Sequence, residues 1–101
     1  MQSSRNQGIY HDPDRAGELA AQALGFLAAD ADRLGHFLAL SGIAPQEIRA
    51  AARAPDFLLG VLDHLLADEA GLLLPFAAEH GIRPEDVVTA RETLARPASR
   101  R

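Results

Sequence analysis

The chain has 101 residues, 48% apolar and 24% charged, with a formal charge of −4 at neutral pH. Such a length predicts one domain, and such a composition excludes wholesale disorder. The absence of cysteine excludes disulfides, thiolate metal sites and thiol nucleophiles. The acidic balance, in a chain whose basic residues are all arginine, weighs against nucleic acid as a partner.

Residues 1–12 are polar and read as a flexible N-terminal segment. Met1 is followed by Gln-Ser-Ser-Arg-Asn and not by an apolar core, so a cytoplasmic location is expected. Asp12-Pro13 is an N-cap followed by a first-turn proline, and it opens a helix running to about Ala28. The inward stripe of that helix is Leu19, Ala23, Phe26 and Leu27. Asp30 caps a second helix with Leu34, Phe37 and Leu38 on one face, and Gly42 ends it in a left-handed turn. Pro45 starts a third helix with Ile48, Ala51 and Ala52 inward. It stops at Ala54, because the residue before Pro55 disfavours helix.

Pro55 opens a fourth helix with a wide apolar face of Phe57, Leu58, Val61, Leu62, Leu65 and Leu66. Asp68 is the expected cap of a fifth helix that contains Leu72, Leu73, Leu74, Phe76 and Ala77. Pro75 within it predicts a kink. Gly81 ends that helix, and Pro84 starts a sixth. Glu85 and Asp86 stand in its first turn, where the helix dipole favours negative charge, and Val87, Ala90, Arg91 and Leu94 follow. Residues 97–101 read as a flexible tail. The fold expected is therefore all-α, a compact bundle of about six short helices forming a single helical domain over 13–96. Uncharged stretches such as Leu19–Ala29 and Ala70–Ala78 fall far short of the roughly 18 apolar residues that cross a membrane.

At an offset of 39 the chain matches itself. Phe37 meets Phe76, Gly42-Ile43 meets Gly81-Ile82, Pro45 meets Pro84, Glu47 meets Asp86, and Ile48 meets Val87. Phe, Gly-Ile and Pro in one ungapped register predict two pseudo-repeated three-helix units. Neither unit buries its apolar faces alone, so the two are expected to pack together.

Each corner has helix-turn-helix spacing: Phe37, Leu38, Gly42, Ile43, Ile48 and Ala51, then Phe76, Ala77, Gly81, Ile82, Val87 and Ala90. A DNA-binding regulator using Arg49 and Arg53 is thus the alternative reading. However, the starts Pro45-Gln46-Glu47 and Pro84-Glu85-Asp86 place carboxylates where phosphates would lie. His64 and Asp68, at i and i+4, read as a surface pair, and His80 as a helix-terminal partner. Asp63, Asp68, Glu69 and Glu79 read as solvated faces and caps. No catalytic residue, metal ligand or cofactor is expected. Gly17, Gly25, Gly35 and Gly60 lie singly inside helices and read as sites of close helix crossing.

The leucine-rich segment from Phe57 to Ala78 has two readings, a central core hairpin or a partner surface. The surface reading names Leu72, Leu73, Leu74 and Phe76, facing an unknown protein partner or a second copy in a homodimer. The function expected is a non-catalytic protein-interaction or adaptor module.

Four blocks carry a family resemblance. They are Phe26-Leu27-Ala28-Ala29-Asp30, Arg33 to Ile43, Val61 to Glu69, and Gly81-Ile82-Arg83-Pro84-Glu85-Asp86-Val87. In that order they resemble the bacterial domain-of-unknown-function 3572 family, over roughly Ala16 to Ala95. Gly71 and Pro75 stand where plain helix formers are expected. The resemblance implies a small helical bacterial protein of the cytoplasm and supplies no catalytic residues.

Overall fold

The computed structural model describes residues 9–67 and 71–96. The described residues hold six α-helices and no strand: α1 (Pro13–Ala28), α2 (Ala31–Ser41), α3 (Ile48–Ala51), α4 (Pro55–Leu66), α5 (Leu73–His80) and α6 (Pro84–Ala95). A single 3₁₀ turn, Pro45–Glu47, leads into α3. The expected all-α bundle is the observed fold. The tails expected to be flexible lie outside the described residues except for 9–12. There the Tyr10 carbonyl accepts a 2.7 Å hydrogen bond from Thr93 Oγ1 of α6.

The local signals act as their chemistry requires. The Asp14 amide donates to Asp12 Oδ1 at 3.0 Å, and the Asp32 amide to Asp30 Oδ1 at 2.9 Å, so both capping aspartates satisfy otherwise unpaired helix amides. Gly42 (φ 76°) and Gly81 (φ 66°) end α2 and α5 in the left-handed region that other residues avoid.

Helices α1, α4 and α6 pack against one another around the main core, and α2 lies on α1. Leu19, Ala23, Phe26 and Leu27 are buried as expected, together with Ala16 and Ala20. Opposite them stand Val61, Leu62 and Leu65 of α4 and Val87 and Ala90 of α6, all fully enclosed. Each large aliphatic side chain taken from water this way contributes on the order of 1.5–3 kcal/mol. Arg33 fastens α2 to α1. Its guanidinium sits 4.2 Å from the centre of the Phe26 ring, and Nη1 donates to the Phe26 carbonyl at 3.1 Å.

Three expectations about local structure are corrected. The fifth helix begins at Leu73, not after Asp68, because Gly71 takes φ 61° and Leu72 becomes the residue before the first turn. Asp68 itself lies outside the described residues. Pro75 consequently falls in the first turn, where an amide has no intrahelical partner to lose. It removes no helical bond, and the first one closes from the Phe76 amide to Leu72 at 3.0 Å. The helix-interior glycines are not crossing points either. A Cβ placed at Gly17, Gly25, Gly35 or Gly60 meets no atom within 4 Å.

Of the internal match, the corners are the part built alike. The Ala44 amide donates to Glu47 Oε1 at 3.0 Å, and 39 residues on the Arg83 amide donates to Asp86 Oδ2 at 3.1 Å. The helices launched by the two corners differ: α3 has 4 residues and α6 has 12.

Candidate functional site

Two helices and the first corner enclose an apolar groove. Helix α2 stops at Gly42, the 3₁₀ turn and α3 turn the chain round, and Pro55 sends α4 back beside α2. The space left between them is about 660 Å³, the size of a ligand or side-chain site. Phe37 and Phe57 form its floor, ring edge to ring face with centroids 5.7 Å apart. Leu40, Ile43, Ala51 and Ala54 line its sides, and the exposed Asp56 and Asp63 its rim. Leu40 is 67% exposed and extends the apolar lining of the groove to the surface.

His64 stands at the same wall. Its ring lies 5.2 Å from Phe37 and 5.7 Å from His36, and its side chain is only 9% exposed. Burial, and secondarily the neighbouring His36, hold its pKa below the ordinary 6.5, so the ring is neutral at pH 7. Nε2 is buried with no hydrogen-bond partner. The expected surface pairing with Asp68 is therefore corrected on the histidine side: His64 points into the protein, because α4 turns positions 57, 61, 64 and 65 towards its neighbours. His80 is exposed, with its ring 4.7 Å from that of Phe76.

Asp63 Oδ1 accepts from Arg91 Nε at 2.7 Å and ties α4 to α6 across the surface. Ser41 is occupied as well: its hydroxyl donates to the Leu38 carbonyl at 3.3 Å and accepts from the Ile43 amide at 3.4 Å. No group of three His, Asp or Glu residues converges on a metal-sized space among the described residues. Among them, no helix is long and apolar enough to cross a membrane.

The four residues read from the sequence as a partner surface are divided by helix phase. Two positions apart on a helix are about 200° apart, so Leu74 and Phe76 face opposite ways. Leu74 is 68% exposed, whereas Phe76 is fully buried, edge-on to Phe26 at 5.5 Å. Leu72 and Leu73 are half-buried. Leu72, Leu73 and Leu74 border a smaller depression of about 380 Å³ with Leu65 and Leu66. Sequence reasoning misses the larger groove, although Leu40 signals it. That leucine lies two positions beyond Leu38, off the Leu34, Phe37, Leu38 stripe.

The helix-turn-helix spacing does not produce matching recognition helices. In the first corner α3 is about one turn long. In the second, α6 runs twelve residues and packs its Val87 and Ala90 face into the core, as that spacing expects.

A search of curated proteins and one of solved structures gave no match. A family model does match, across residues 13–97, which takes in all six helices. The chain therefore belongs to the family described as Protein of unknown function (DUF3572).

Proposed function

We propose that the protein is a non-catalytic interaction module that holds a protein partner in the groove between α2 and α4. The observation that carries this reading is Leu40, two-thirds exposed beside an apolar space of about 660 Å³ floored by Phe37 and Phe57. An apolar groove with a leucine at its edge suits the apolar face of a partner helix. Two of the polar groups around the groove are already engaged: Asp63 is committed to Arg91, and Ser41 to the end of α2.

A photo-reactive phenylalanine analogue at position 40, introduced in the native cell, tests this. The expected result is a discrete protein adduct from position 40 and none from the exposed position 21 on α1. No adduct from position 40 overturns the reading.

The exposure of Leu74 favours a second contact, self-association through the start of α5. It predicts a solution mass that rises with concentration and a Leu74→Asp variant that stays monomeric. A mass independent of concentration removes it.

A further inference from the structure

The groove between α2 and α4 has a charge pattern as well as an apolar floor. Both charged side chains on its rim, Asp56 and Asp63, are acidic, and no arginine lines it. His64 adds no positive charge at neutral pH. Helix α2 also ends on this groove, at Leu40 and Ser41, with no basic residue in its last turn. The partial negative charge of its terminal carbonyls therefore meets no cation from its own helix. Asp63 already receives Arg91, but a carboxylate accepts several donors.

Resting on the interaction reading above, we infer that the occupant is a cationic amphipathic helix of another protein. Its apolar residues pack between Leu40 and Phe57, and its Lys or Arg side chains meet Asp56, Asp63 and the end of α2. The spacing suits a helix. Asp56 and Asp63 are seven positions apart on α4, two turns or about 10 Å, so partner cations at i and i+7 reach both. The described residues hold no strand edge to which an extended peptide would add. A second copy fits poorly, because two-fold pairing of this face sets Asp56 and Asp63 against their own images.

The test uses the full chain and a synthetic 16-residue Leu/Arg amphipathic peptide, with a Leu/Glu peptide of the same pattern and octylamine as comparisons. The reporters are the ring signals of Phe37, Phe57 and His64 in nuclear magnetic resonance titrations. The Leu/Arg peptide is expected to move those signals. Its affinity is expected to fall about tenfold in the Asp56→Asn/Asp63→Asn variant, and also in 0.5 M salt. Circular dichroism checks that the double variant folds, and Asp56→Asn alone replaces it if it does not.

Equal or tighter binding of the Leu/Glu peptide overturns the inference. So does movement of the same signals by octylamine at lower concentration than by the peptide, which indicates a small-molecule site. Movement on concentrating the chain alone indicates a second copy and also overturns it. If no peptide moves the signals while position 40 still yields a protein adduct, this inference fails and the interaction reading stands. If both results are negative, both fail.

Discussion

The two corners, Gly42–Ile48 and Gly81–Val87, use one recipe and reach different ends. Each has a left-handed glycine, then isoleucine, then proline, then an acid whose side chain accepts from the amide three residues before it. Yet Glu47 is exposed and Ile48 half-buried, whereas Asp86 is 5% exposed and Val87 fully enclosed. The second corner launches a twelve-residue helix onto α1 and α4, so its acid and its apolar residue become core. The first launches one turn, because Ala54-Pro55 stops it, and the uncovered space beside it is the groove. A local motif thus determines how the chain turns. The length of the helix after the turn decides whether the corner builds core or leaves a surface.

Truncating the equivalent apolar residues puts this contrast to its most demanding test. Val87→Ala is expected to cost about 2 kcal/mol, from lost methyl burial plus a cavity, and Ile48→Ala less than about 1 kcal/mol although it removes more atoms. Urea unfolding of the two variants measures the difference, and equal losses would mean that the corners are equally buried. The acids come next. Asp86→Ala is expected to cost about 1–2 kcal/mol, since it removes a buried cap and leaves the Arg83 guanidinium, 3.8 Å away, with buried nitrogens and no counter-charge. Glu47→Ala, exposed, is expected to cost about 0.5 kcal/mol.

Glycines extend the same contrast to turn and helix. Gly81→Ala and Gly42→Ala are expected to lose about 1 kcal/mol each at their positive φ. Gly25→Ala and Gly35→Ala, with open space around the new methyl, are expected to gain about 0.5–1 kcal/mol each, read as shifts in thermal midpoint.

The smallest effect belongs to the groove alone. The folded pKa of His64 lies below its unfolded value of 6.5, so on acidification the unfolded chain takes up the proton first. The contribution of His64 is complete above pH 6.5 and declines as the pH falls from there through its folded pKa. Thermal midpoints between pH 7.5 and 5 are expected to fall less steeply in His64→Phe, which keeps the ring contact with Phe37 and cannot titrate.

The sequence alone determined most helix ends, because caps, prolines and left-handed glycines act over three or four residues and need no partner: Asp12, Asp30, Gly42, Pro55, Gly81 and Pro84 all mark observed ends, and the start of α5 is the exception. It determined the stripe of α1 as well, since a long helix with one packed face repeats its apolar residues at helical spacing. It did not determine which apolar residues stay uncovered. Helix phase sets Leu74 and Phe76 on opposite faces, but only the seating of α5 against Phe26 decides which of them meets solvent and which the core. Likewise His64 reads as a surface residue until α2 lies beside α4, and the groove depends on contacts between segments some twenty residues apart. Burial is a property of what packs opposite a side chain, and that neighbour is chosen by the whole fold.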